Sequence, residues 1–179
     1  MNRHERRAEK MQDRLAARTL MVRRARVPPR DGPRPTLREF LDEWIEKGRE
    51  IFAKEQKIDP AFIGWLPDNS QLILTIAPFG DKKEQQAFNT GSIDILLEEN
   101  AVMMLRVGEA WASQKLHMKA SKAGDRREVV VFKASDLGDD DHDTDQIALL
   151  EINRDWEDGK ATLGETEYGD FHAAQPVPP

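Results

Sequence analysis

One capped amphipathic helix constrains this chain more than any other feature. Thr36 precedes Glu39 by three residues, the spacing of a capping box, in which each side chain accepts a hydrogen bond from the other's backbone N–H. Leu37, Phe40, Leu41, Trp44, Ile45, Ile51 and Phe52 then recur at helical spacing, which predicts a helix over about 37–56. So wide an apolar face cannot stand in water. It needs a second layer, and the only apolar surface large enough lies in the segments downstream.

Five of those segments read as strands: QLILTIA at 71–77, AVMMLRVGEAWA at 101–112, REVVVFKA at 127–134, QIALLEIN at 146–153 and KATLGETE at 160–167. Each is β-branched or apolar and bounded by glycine or polar clusters. The second and third lack polar alternation, which predicts central strands covered on both faces. The last is polar on both sides, as an edge requires. Asp158-Gly159 between the last two predicts a hairpin turn. A second helix is expected over 81–100, with Thr90-Gly91 a point of weakness. A strand, helix, strand order favours a parallel crossover, with an antiparallel meander behind it. The expected fold is α+β: a mostly antiparallel five-stranded sheet packed by two helices, preceded by a separate basic N-terminal helix.

That last element comes from the opening MNRHERRAEKMQDRLAARTLMVRRAR. At 100° per residue, Arg3, Arg6, Arg7, Lys10, Arg14 and Arg18 share one sector, Ala8, Met11, Leu15 and Val22 form an apolar stripe beside it, and Glu5, Glu9 and Asp13 lie opposite. The sorting predicts a helix over residues 3–24. VPPRDGPRP follows, with four prolines and a glycine, and reads as an extended linker. The expected organisation is a basic arm and linker at 1–35, an α+β domain at 36–168 and an extended proline-rich tail at 169–179.

Charge divides along the same line. Residues 1–35 carry eleven Lys/Arg against four Asp/Glu, a net of +7, and the remainder carries sixteen against twenty-nine, a net of −13. Such asymmetry accompanies a segment that binds an anionic partner or folds back on its own acidic body. The 179 residues contain no cysteine, which excludes disulfides, thiolate metal sites and cysteine nucleophiles. No apolar run approaches the roughly 20 residues of a membrane helix, and arginines interrupt any secretory signal core. The expected setting is the cytoplasm.

Catalytic signals are sparse. His4, His117, His142 and His172 are far apart, and H-E-x-x-H, G-x-S-x-G and phosphate-binding glycine loops are all missing. Glu109, on the same strand face as Leu105, Val107 and Trp111, is the one carboxylate placed to act as an acid or base, with a wet strand end as its plainer reading. The segment SDLGDDDHDTDQ places Asp139, Asp141 and Asp143 at alternate positions, as a hard cation would require. However, Thr144 and Leu150 stand where a calcium loop needs glycine and glutamate. A solvated loop is the expected role, and neither metal nor cofactor is expected. Phe62 and Trp65, in DPAFIGWLPDN, read as a cover for the core, with a protein contact as the alternative. Trp156, in the NRDWEDGK turn, reads as exposed and as a further possible protein contact.

The stretches GEAWAS and DRREVVVFKAS, with the opening MNRHERRA, resemble uncharacterised bacterial and phage proteins in which an E-A-W strand precedes a D-R-x-E-V strand. The resemblance implies a bacterial or phage setting and carries no activity. Together these features point to a non-enzymatic accessory protein whose basic arm docks on a protein assembly or acidic partner. A nucleic-acid binder using the same cations on phosphates is the alternative.

Overall fold

The computed structural model describes residues 22–76, 82–112, 124–125, 127–138, 145–155 and 157–169. Along the chain run β1 (Arg23–Val27), α1 (Leu37–Glu55), β2 (Ala61–Trp65), β3 (Gln71–Thr75), α2 (Lys82–Glu98), β4 (Met103–Ala112), β5 (Arg127–Asp136), β6 (Gln146–Arg154) and β7 (Ala161–Gly169). The strands form a seven-stranded antiparallel sheet in the order β1-β3-β2-β4-β5-β6-β7. Two compact units divide the chain, Met1–Arg34 with Asp59–Met104, and Pro35–Ile58 with Leu105–Pro179. β4 carries the chain from the first to the second.

In the first unit β3 lies between β1 and β2, antiparallel to both. β2 and β3 form a hairpin whose loop, Pro67 to Asn69, closes with Asn69 N–H donating to the Leu66 carbonyl and Leu66 N–H donating to that of Ser70. Asn69 takes the left-handed conformation, φ 61°, which asparagine tolerates better than most residues. One face of the hairpin meets α2. Phe62 packs edge-on against Phe88, ring centres 5.5 Å apart. A Cβ on Gly64 would fall 2.5 Å from Leu96 Cδ2, so glycine is what allows that approach. α2 continues through Thr90-Gly91 with Gly91 buried. It ends in a Schellman motif, with Asn100 at φ 57° and Ala101 N–H donating to the Leu96 carbonyl.

The second unit is built on α1. Both halves of the capping box are formed: Glu39 N–H donates to Thr36 Oγ1 at 3.2 Å and Thr36 N–H to Glu39 Oε2 at 2.7 Å. The Thr36 N–H and, at 2.9 Å, the Thr36 hydroxyl both donate to the Glu39 carboxylate and hold it below its usual range. The helix packs against β5, β6 and β7. Phe40, Leu41, Trp44, Ile45 and Phe52 are buried on its inner face, and Val130, Phe132, Ala148, Leu150 and Ile152 are buried on the strands. Each fully buried side chain of this size contributes about 1.5–3 kcal/mol. Gly48 lies over the Phe132 ring. At the helix C-terminus Gln56, at φ 59°, donates through Nε2 to the Phe52 carbonyl and accepts Ala161 N–H at 2.6 Å. That one side chain ties α1 to the start of β7.

The sequence-based fold needs two corrections. The sheet has seven strands rather than five, because AFIGW and RRARV are also strands. β2 intervenes between β3 and β4, so the two strands that flank α2 are not neighbours in the sheet. The separate helix over 3–24 is also overturned where it is described: Arg23 and Arg24 belong to β1. Val27 precedes Pro28, and a residue before proline is pushed toward extended backbone. Pairing with β3 then supplies backbone partners that a charged segment cannot find alone. Residues 1–21 lie outside the described residues. β4 and β5 occupy central positions and β7 an edge.

A candidate interaction surface on the basic edge strand

Within the described part of the +7 segment, Arg23–Val27 is ordered sheet. Arg23, Ala25 and Val27 share one face of β1, and Arg24 and Arg26 the other, because side chains alternate along a strand. The first four of these residues are exposed and Val27 is half-buried. The register with β3 runs unbroken from Arg23 opposite Thr75 to Val27 opposite Gln71.

Arg26 is held in place. Its Nη2 donates to Asp68 Oδ2 at 3.1 Å and its Nε to Ser70 Oγ at 3.2 Å. Asp68 Oδ1 also accepts the Ser70 hydroxyl at 2.5 Å and the Ser70 N–H at 3.0 Å. The Ser70 bonds, more than the Arg26 charge, keep the Asp68 carboxyl below its usual range. The chain beyond β1 is fastened to the same hairpin. Arg30 N–H donates to the Asn69 carbonyl at 3.3 Å, and Asn69 Nδ2 to the Gly32 carbonyl at 3.0 Å. The Arg30 guanidinium lies 4.5 Å from the centre of the Trp65 ring, within cation–π range, while Trp65 Nε1 donates to Asn69 Oδ1 at 3.3 Å. Gly32, at φ 109°, makes the bend in a conformation that side chains rarely adopt. The proline segment is therefore anchored at Arg30 and Gly32.

Arg23 and Arg24 differ from Arg26 in having no ion pair among the described residues. Two exposed cations on neighbouring positions of an edge strand, uncompensated among the described residues, make an anion-facing surface. No family model, curated protein or solved structure matches the chain. The functional reading therefore rests on this geometry.

The other sequence candidates fall as follows. Phe62 and Trp65 are 2 % and 1 % exposed, so both contribute to the core of the first unit. Val22 is half-buried, immediately before β1. Arg3, Arg6, Arg7, Lys10, Met11, Arg14, Leu15, Arg18 and Trp156 lie outside the described residues, as do Asp139, Asp141, Asp143 and all four histidines. The ends of the aspartate-rich segment are visible. Asp136 Oδ1 accepts Gly138 N–H at 2.9 Å, and Asp145 pairs with Lys133. Glu109 Oε1 accepts Ile58 N–H at 2.9 Å, so its carboxylate serves the backbone just beyond α1. Among the described residues no three His, Asp or Glu side chains cluster as metal ligands, and no helix is long and apolar enough to cross a membrane.

Sequence reasoning missed Arg23, Arg24 and Arg26 as edge-strand residues because the predicted helix over 3–24 runs through the first two and leaves Arg26 unassigned between helix and linker. The contrary signal was local: Val27 before Pro28-Pro29 marks an extended segment.

Proposed function

We propose that this is a non-enzymatic interaction protein that holds an acidic partner protein through its basic N-terminal segment, with β1 as the ordered part of that surface. The observation that carries the reading is the exposed Arg23–Arg24 pair on a sheet edge, without an ion pair among the described residues, inside a segment of net +7 on a chain of net −6. Asp68 is fixed beside the same strand by Arg26, and a fixed acid there opposes a dense phosphate backbone more than a few discrete carboxylates. The reading includes a cytoplasmic, bacterial or phage setting, supported by the lack of cysteine and by the resemblance noted above.

The test compares binding of a labelled poly-glutamate peptide and a DNA duplex to wild-type protein and to Arg23→Glu/Arg24→Glu across a salt series. The expected result is preference for the peptide and a loss of about tenfold on charge reversal, equivalent to about 1.4 kcal/mol. Tighter binding to the duplex with a steep salt slope would assign the cations to phosphates instead. Identical binding by wild type and variant would remove β1 from the functional account.

A further inference from the structure

The two outer strands of the sheet order, β1 and β7, are unlike as docking edges. β7 is blunted. Leu150 pairs with Thr166 while Ile152 pairs with Leu163, so Gly164 and Glu165 stand opposite the single residue Glu151, as in a bulge. Glu167 of that strand is held by both terminal nitrogens of Arg127. Tyr168 donates to Asp42 at 2.8 Å and carries the Arg38 guanidinium on its ring. Strand addition there would have to break fixed pairs and follow an irregular backbone.

β1 has a regular backbone, and its committed charge among the described residues is Arg26, paired with Asp68. Its five register positions with β3 are unbroken, it contains no proline, and among the described residues no strand pairs with its outer side. Bulges, prolines and committed charges are the usual protections of an edge. β1 has only its arginines, and those select among occupants. A second copy of β1 laid antiparallel against the first about Ala25 would set Arg24 opposite Arg26 twice over, like charges that cross-strand pairing penalises. An acidic strand meets the opposite situation.

We infer that β1 receives an extended acidic segment of a partner protein as an added strand, with backbone hydrogen bonds along Arg23–Val27 and carboxylates paired to Arg23 on one face and Arg24 on the other. The inference rests on the proposed function and specifies its mode. At about 3.4 Å per residue, β1 offers roughly 17 Å of edge, enough for about five ligand residues. Arg23 and Arg24 are consecutive, so the ligand carries acids on both of its faces. A strand with acids on one face only would engage just one of the two.

The probe is a cyclic β-hairpin peptide whose outer strand bears glutamates on both faces, measured by anisotropy against the full chain. Three derivatives accompany it: one N-methylated along the outer edge of the acidic strand, one N-methylated along the outer edge of the opposite strand, and one with lysines for glutamates. Strand addition predicts at least a tenfold loss for the first derivative, little change for the second and no binding of the third. It also predicts slowed amide exchange within residues 23–27 when the parent peptide is bound. Arg23→Glu/Arg24→Glu should weaken the parent peptide, and Arg23→Ala/Arg24→Ala should do so less. If both N-methylated peptides bind like the parent and exchange at 23–27 is unchanged, while charge reversal still abolishes binding, strand addition is wrong and the electrostatic reading stands. If charge reversal changes nothing, both fail.

Discussion

Replacing Gly48 by alanine sets two known effects against each other in the core of the second unit. In a helix interior alanine is favoured over glycine by about 1 kcal/mol. Here, however, the added Cβ would stand 2.5 Å from Phe132 Cζ and 3.1 Å from Cε1, where carbon atoms prefer about 3.5–4.0 Å. Phe132 is fully buried, so its ring must retreat by about 1 Å into neighbours already in contact. Overpacking of this kind costs about 1–3 kcal/mol. The expected balance for Gly48→Ala is therefore a net loss of about 1 kcal/mol. The sign should invert when the obstacle is removed. In a Phe132→Leu background, itself less stable, Gly48→Ala should gain up to about 1 kcal/mol, the bare propensity difference. Urea unfolding of the four proteins, followed by far-ultraviolet circular dichroism with m-values checked for constancy, closes the double-mutant cycle. A Gly48→Ala protein more stable than wild type by about 1 kcal/mol would refute the steric argument, because the ring would then be yielding at no cost.

Two further predictions concern the ties of that unit. Gln56→Ala removes the acceptor of Ala161 N–H and keeps a non-glycine residue at φ 59°, whereas Gln56→Gly loses the same acceptor and relieves a left-handed strain of about 1–2 kcal/mol. Chemical denaturation should therefore rank wild type above the alanine variant and place the glycine variant above alanine; alanine at or above glycine would count against the left-handed cap. Hydrogen bonding to Arg154 holds the Glu128 carboxyl below its usual range, and Arg127 does the same for Glu167. A folded-state value below the unfolded one contributes stability that is present above about pH 4.3, the ordinary glutamate value, and is lost as pH falls through the depressed one. Acid unfolding of Glu128→Gln should show a shallower loss of stability below that pH, and an unchanged slope would mean the pair is not formed in solution.

What was legible in the sequence was whatever its own neighbours determine. Thr36 and Glu39 announce α1 within four residues, and Phe40, Leu41, Trp44, Ile45 and Phe52 give its buried face without reference to the rest of the chain, although Leu37 is only half-buried and Ile51, read onto the same face, is exposed. β3 to β7 were readable as apolar runs between turn residues. β2 was not, because Pro60, Gly64 and Pro67 make AFIGW look irregular. The reason for Gly64 is tertiary: it makes room for Leu96, thirty-two residues away. Pro67-Asp68-Asn69 between two apolar runs was the available hairpin signal. β1 was harder still, since its strand partner among the described residues, β3, begins at Gln71 and its own residues are mostly arginine. Local pattern cannot distinguish a charged helix from a charged edge strand when the deciding hydrogen bonds lie that far along the chain. The candidate surface was lost with it, because Arg23 and Arg24 matter only once they sit on an edge.

That location changes the energetics of capture. Cations on a structureless tail must be ordered as they bind, and fixing one residue's backbone costs about 1–2 kcal/mol. Arg23 and Arg24 are positioned by the β1–β3 register and by the Arg26 and Asn69 bonds around it, so that cost is met when the chain folds. The partner's segment still has to be ordered. A backbone hydrogen bond contributes only about 0.5–1.5 kcal/mol net, and an exposed ion pair about 0.2–1; for a flexible ligand residue these gains barely offset its own ordering. A short free peptide should consequently bind weakly even if the mode is right, whereas a segment already held extended by its parent protein escapes most of the penalty. The partner that fits β1 is therefore one that presents an acidic strand ready-made, at the edge or on an arm of its own folded structure.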